Sequence, residues 1–273
     1  MGTLAEIGAE VDWPDADASS AARAAARHED GRLGELAEWL AGVQGTFPPA
    51  PPTAVRLVHL DPVAERAADL AAQLGAGVHE LAADDGVTAG IAAADAEIDS
   101  GTELIVLAAD TAAAAALAVA VLTDAEPVAL LPRGAASVDT QGWIERATAL
   151  RDGRRRLTAA RGDGDRFLDE LGDRRFAAVA ALALRAAARR TPVVLDGTAA
   201  VAAALVGSDV QLRATRWWQV ADTSSDPVHA RAVEQLGKAP LLSLGTADGT
   251  GIAGLLAVAV LRAAALTVGL RRG

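Results

Sequence analysis

The chain contains no cysteine and no tyrosine, and only one methionine, three phenylalanines and five tryptophans among 273 residues. Without cysteine it has no disulfides, thiolate zinc sites, iron–sulfur clusters or cysteine nucleophiles. Lysine is almost missing too: Lys238 stands alone, and every other basic residue is arginine apart from four histidines. Positive charge as a whole is short, with 25 Lys and Arg against 36 Asp and Glu for a net charge of −11. A negative field of that size repels phosphate backbones and argues against nucleic acid as a partner. Long apolar runs are also missing. Ala112 to Leu122 and Gly254 to Leu261 are too short to cross a bilayer, and Arg262 follows the second. The start, Met1-Gly-Thr-Leu-Ala-Glu6, has no basic segment followed by an apolar one, so the expectation is a cytoplasmic protein with no membrane partner. His28, His59, His79 and His229 include no pair at ligand spacing on one helix, so no metal is expected. The motifs GxSxG, Walker A and GxGxxG do not occur.

What remains is abundant alanine within a hydrophobic fraction of 51%. Alanine buries little area per residue, so the core must come from many close helix contacts rather than a few large anchors. Asp17-Ala-Ser-Ser predicts a cap before a helix over 21–27, and Leu36, Leu40 and Val43 form a helical stripe with Trp39 beside it. Phe47-Pro-Pro-Ala-Pro-Pro-Thr53 is a stiff extended linker. After it, strands alternate with helices. Strands are predicted at 54–60, 78–81, 104–108, 128–131, 192–195 and 216–221. Helices are predicted at 63–74, 91–99, 112–122, 143–157, 167–171, 176–190, 199–206, 227–236 and 251–270. The Arg- and Asp-dense stretch 151–175 reads as solvated surface. This rhythm predicts an α/β fold, a Rossmann-like parallel sheet flanked by helices.

Parallel sheets bind ligands beyond the C-terminal ends of their strands. The residues there are Asp61, Asp110, Arg133-Gly134, Asp196-Gly197 and Asp222. Asp110-Thr111 and Asp196-Gly197-Thr198 each sit between a strand and a helix, where the ordinary role of an Asp is to cap. Gly245-Thr-Ala-Asp248-Gly249-Thr250-Gly251 precedes the last helix. Its glycines suit close backbone approach to an anion, and Asp248 suits either a turn cap or a general base. Arg133 and Arg146 offer paired donors for phosphate oxygens.

Several stretches resemble the nicotinate-nucleotide–dimethylbenzimidazole phosphoribosyltransferase family. Residues 31–45, GRLGELAEWLAGVQG, are similar to the family's PPGSLGRLEELAxxLAxxQG. Pro192-Val-Val-Leu-Asp-Gly197 resembles PVxLDG, and Ser224 to His229 resembles the segment ending SxEPGH. Residues 234–245 resemble ALxLxPLLDLGM, and Gly249-Thr250-Gly251 matches the end of GEGTGA. The resemblance implies transfer of phosphoribose from nicotinate mononucleotide to dimethylbenzimidazole, in the synthesis of the cobalamin lower ligand. It implies a small helical domain from both chain ends: residues 1–50 and 251–273, around an α/β domain of 51–250. It also implies a homodimer and a reaction that needs no metal and no organic cofactor. By the same resemblance Asp248 takes the place of the catalytic Glu. Asp110, Thr111, Arg133, Gly134, Arg146, Asp196, Gly249, Thr250 and Gly251 fall at substrate- and phosphate-binding positions.

The chain departs from the family pattern in four places. The loop GEMGIGNTT is matched by LIVLAADTA at 104–112, which loses its glycines and places Asp110 where the Asn belongs. A side chain at a lost glycine hinders backbone approach, and a carboxylate repels phosphate. Asp248 is one methylene shorter than Glu. Asp61-Pro62 leads straight into the next helix where the family has an azole-contacting segment, and about thirty residues of the family pattern are missing here. Glu29-Asp30 replaces the Pro-Pro of the first motif. These departures leave open a catalytically impaired paralogue acting as a binding or partner protein, including in a heteromer with an active family member, and an enzyme for another nucleotide or azole.

Overall fold

The computed structural model describes residues 2–132 and 139–269. Helices α1 (Leu4–Ala9), α2 (Ala16–Ala25) and α3 (Gly31–Gln44) come first. Then follow β1 (Val55–His59), α4 (Glu65–Gln73), β2 (Ala76–Glu80), α5 (Val87–Asp99), β3 (Leu104–Ala108) and α6 (Ala112–Leu122). After these come α7 (Thr140–Leu157), α8 (Gly164–Leu171), α9 (Arg174–Ala188), β4 (Val193–Asp196) and α10 (Thr198–Val210). The last elements are β5 (Trp218–Val220), α11 (Pro227–Gln235) and α12 (Ile252–Gly269).

The strands form one sheet in the order β2-β1-β3-β4-β5, and every pairing is parallel. Val58 stands opposite Leu107, and Ala108 opposite Asp196. The order reverses between β1 and β3, and crevices for ligands open at such a reversal, beyond the strands' C-terminal ends. Strand residues alternate between two cores. Leu57, Leu104, Val106 and Val194 pack under α3, α4 and α12, while Val58, Ile105, Leu107 and Leu195 face the opposite layer with α5, α6, α9 and α10. Trp39, Leu36 and Leu40 of α3 share the first core with Leu255, Val258 and Leu261 of α12.

Alanine and glycine bring the helices close. A Cβ on Gly90 of α5 would lie 2.1 Å from the Ala178 carbonyl oxygen of α9, and one on Gly254 of α12 would lie 2.3 Å from Val106 of β3. Such contacts replace the large anchors that the composition lacks.

Four expectations are corrected. Residues 128–131 are not a strand: Pro127–Leu130 is a 3₁₀ turn. Pro127 has no N–H for a ladder, and its fixed φ suits the first position of a helical turn. The strand expected over 216–221 shrinks to β5, because Leu212–Trp217 winds into a 3₁₀ helix begun by the Gln211 side chain, which accepts from Arg213 N at 3.3 Å. Asp15, not Asp17, caps α2, accepting from Ala18 N at 2.7 Å. The stretch 151–175 is not simply solvated, since Leu157, Phe167 and Leu168 lie in the core and only its charged face meets water.

Candidate active site

Three chain segments meet at the C-terminal end of the sheet. A Cβ on Gly249 would lie 2.6 Å from the Ala109 carbonyl oxygen, and one on Gly197 would lie 2.6 Å from the same oxygen. Gly197 (φ +92°) and Gly249 (φ +81°) also have left-handed backbones that other residues rarely adopt. The loops after β3, after β4 and before α12 therefore close on one another backbone to backbone.

Asp196 ends β4 with no exposed surface. It does not cap α10: Gly197 holds the cap position with no side-chain bond. Asp196 reaches instead across to α12, where Gly254 N donates to its Oδ2 at 2.9 Å, and Oδ1 has no hydrogen-bond partner. Burial pushes its carboxyl up to about 7, with the Asp248 charge adding to the rise, while the amides of Gly254, Gly249 and Gly251 oppose it.

Asp110 does not cap either. Thr111 stands at the cap of α6 without a side-chain bond, and its buried Oγ1 has no partner. The Asp110 carboxyl is raised, first by burial and then by the charges of Asp226, Asp61 and Asp248. Asp61 is ion-paired with Arg175. Asp226 caps α11, accepting from Val228 N at 2.9 Å, and takes a hydrogen bond from Thr198 Oγ1 at 2.9 Å. Asp226 falls within the family-like segment Ser224 to His229, but its place beside Asp110 is not legible in sequence, because it sits within a Ser-Ser-Asp-Pro turn rather than directly after a strand.

Asp248 is exposed on the loop before α12. Its Oδ1 accepts from Thr250 N at 3.1 Å and Thr250 Oγ1 at 2.7 Å, a turn of its own making. The loop is anchored by Asp222, which is fully buried. The Asp222 carboxylate accepts from Thr223 N at 2.7 Å, Leu244 N at 2.7 Å, Thr246 N at 2.8 Å and Thr246 Oγ1 at 2.7 Å. Burial raises the Asp222 pKa, but these donors outweigh it and hold it below the usual carboxylate range. Buried His229 donates from Nε2 to the Asp222 carbonyl at 3.1 Å, and burial lowers its pKa.

Asp110, Asp196, Asp248, Gly249 and Gly251 thus come together at one rim, and Thr111 and Thr250 adjoin it. Arg146 lies on the exposed face of α7, near Asp139. Arg133 and Gly134 lie outside the described residues. A cleft of about 680 Å³ adjoins the rim, with Asp226, Ser224 and Ser225 on one wall and Ala129 and Leu131 on the other. Among the described residues no group of His, Asp and Glu is arranged to hold a metal ion.

A parallel sheet with a strand-end cleft, closed by glycine-bearing loops and rimmed by titratable carboxylates, is the architecture of an α/β protein that handles a small molecule. The particular family follows from comparison: the phosphoribosyltransferase family model matches residues 63–269, and the chain belongs to that family. Among its relatives are two proteins named nicotinate-nucleotide–dimethylbenzimidazole phosphoribosyltransferase. The Mycobacterium tuberculosis protein is 37% identical over 219 residues, covering 76% of this chain and 60% of that one. The Streptomyces avermitilis protein is 37% identical over 180 residues, covering 65% of this chain and 48% of that one. The chain spans about half to three-fifths of the length of such relatives. A crystal structure of the same-named protein from Thermus thermophilus superposes with a TM-score of 0.78 at 21% identity, over 95% of this chain and all of that one. A second, of CobT from the same organism, gives 0.79 at 22% identity, over 93% of this chain and 96% of that one. The fold is therefore theirs.

Proposed function

We propose that the chain transfers phosphoribose from nicotinate mononucleotide to dimethylbenzimidazole at the strand-end rim, with Asp248 as the general base. The observation that carries this reading is the convergence of Asp248 with Asp110 and Asp196, close enough for its charge to raise both. In the step, the azole nitrogen attacks C1′ of the ribose. The bond from C1′ to the pyridinium nitrogen breaks, and its electrons neutralise that nitrogen. Asp248 takes the azole N–H proton. The cationic nicotinate ring is already a good leaving group, so the protein must chiefly position the partners and remove one proton. Carboxylates at the rim also favour positive charge growing on the ribose. Thr111 Oγ1, Thr250 and the amides near Gly249 and Gly251 supply donors for the nucleotide phosphate, with Arg133, Gly134 and Arg146 as further holders. The reading carries with it a homodimer in the cytoplasm.

One observation favours a second reading. Asp61, Asp110, Asp226 and Asp248 gather negative charge where a phosphate would sit, and like charges oppose its binding. On that reading the chain is a catalytically impaired paralogue, a binding protein or the partner of an active family member. Nicotinate release from nicotinate mononucleotide, measured with and without dimethylbenzimidazole, separates the two. Azole-dependent release supports the transferase. Its absence, beside an active relative in the same buffer, supports the paralogue.

A further inference from the structure

Asp196 stands at a strand end facing the cleft, yet it cannot touch a ligand there, because it has no exposed surface. What it does touch is the turn that leads into α12. Gly254 N donates to its Oδ2 at 2.9 Å, and the amides of Gly249 and Gly251 act on the same carboxyl. Close packing sets this turn down on the strands. A Cβ on Gly254 would lie 2.3 Å from Val106 and 3.4 Å from the Asp196 Cβ, and one on Gly251 would lie 2.7 Å from Leu57.

Asp248 opens the same turn. Its carboxyl accepts from Thr250 N and Thr250 Oγ1, both inside the turn, so its place in space is set by the turn as a whole. Upstream, the Asp222 carboxylate holds Leu244 N at 2.7 Å and Thr246 N at 2.8 Å. Downstream, Asp196 holds Gly254 N. Asp248 thus lies between two buried carboxyls that each take backbone amides from the loop. A charged acceptor holds an amide about twice as strongly as a neutral one. Burial pushes the Asp196 carboxyl up to about 7, so it is mostly ionised at about pH 8. Its charge then faces the amides that open α12, the positive end of that helix.

We propose that Asp196 is a positioning residue: its carboxylate holds the 249–254 turn from beneath, and through the turn keeps the Asp248 carboxyl where it takes the azole proton. The role toward Asp248 rests on the transferase reading, whereas the hold on the turn does not. Asp196 itself neither touches substrate nor moves a proton.

Asp196→Asn is the variant to make. It keeps the size of the side chain and an oxygen for Gly254 N, but it removes the charge and points an NH₂ group at amides that need an acceptor. Losing a buried charge does not weaken the fold, and urea melts at about pH 8 are expected to show the variant at least as stable as the parent. Amide exchange is followed by mass spectrometry at the same pH without substrate. The peptide covering 246–254 is expected to exchange about tenfold faster than in the parent, with peptides of β3 and α10 unchanged. In the same buffer, kcat for azole-dependent product formation is expected to fall about tenfold, with KM for the nucleotide unchanged. An Asp196 that only supports the fold gives neither effect in a variant as stable as the parent. Equal exchange in the turn overturns the proposal, and so does faster exchange with kcat unchanged. A parent that forms no product ends the transferase reading alone, and the exchange rates still decide whether Asp196 holds the turn.

Discussion

A Cβ built on Gly197 would stand 2.4 Å from the Cα of Gly249, so the loop leaving β4 and the loop carrying Asp248 touch through their backbones alone. Both residues have positive φ, and both crowd the Ala109 carbonyl oxygen. The geometry of the rim thus depends on two missing side chains. Gly197→Ala and Gly249→Ala are each expected to lower stability by about 1–3 kcal/mol, through strain and overpacking. Each is also expected to reduce turnover beyond that loss by displacing Asp248. Chemical denaturation and steady-state kinetics on the same preparations check both effects.

Asp196 gives a prediction with a defined sign. Its folded pKa of about 7 is raised above the ordinary aspartate value of 3.8. Any stability linked to its protonation is fully present below pH 3.8 and is lost as pH rises to about 7. Asp196→Asn removes that dependence while its side-chain oxygen can still accept from Gly254 N. The stability difference between variant and parent is expected to widen in the variant's favour from about pH 4 to pH 7, by on the order of a few kcal/mol, and then to level off. Carboxylates held below their usual range, such as Asp222 and Glu103, oppose this slope in both proteins and cancel in the difference. Urea melts at about pH 4, 5, 6, 7 and 8 provide the check.

Asp222 should matter to the loop more than to the sheet. Asp222→Ala leaves Leu244 N, Thr246 N and Thr246 Oγ1 without their acceptor. The expected cost is about 3 kcal/mol or more, since the lost bonds were to a charged group. Thr246→Val removes one donor and should cost about 1 kcal/mol. Limited proteolysis should cut within 243–251 sooner in Asp222→Ala than in the parent. Equal cutting rates would show that the loop is held by other contacts.

Much of the fold was legible in the sequence because buried parallel strands have a plain signature. LIVLA at 104–108 and the alanine run at 112–122 match β3 and α6 residue for residue. The family resemblance was legible as well, since its motifs lie along most of the chain. Two elements misled for a physical reason. An apolar run such as Val128 to Leu131 does not distinguish a strand from a half-buried 3₁₀ turn, and Pro127 settled it. The aspartates after β3 and β4 look like helix caps in sequence, whereas Asp196 bonds α12, 58 residues on, and Asp110 caps nothing. The Asp222 anchor was visible only as a strand-end residue. Its role depends on loop backbone amides more than twenty residues away, which no local pattern encodes.

The central claim is that Asp248 works as the base for transfer from nicotinate mononucleotide to dimethylbenzimidazole. It is tested most directly by the rate of azole-dependent product formation in the parent chain beside Asp248→Asn, at saturating substrate. Loss of a general base lowers a rate by about 10²–10⁴-fold. The account predicts product from the parent, a fall of at least about a hundredfold in kcat for the variant, and little change in KM for the nucleotide. A parent that forms no product, or a variant that keeps the parent's rate, would contradict it.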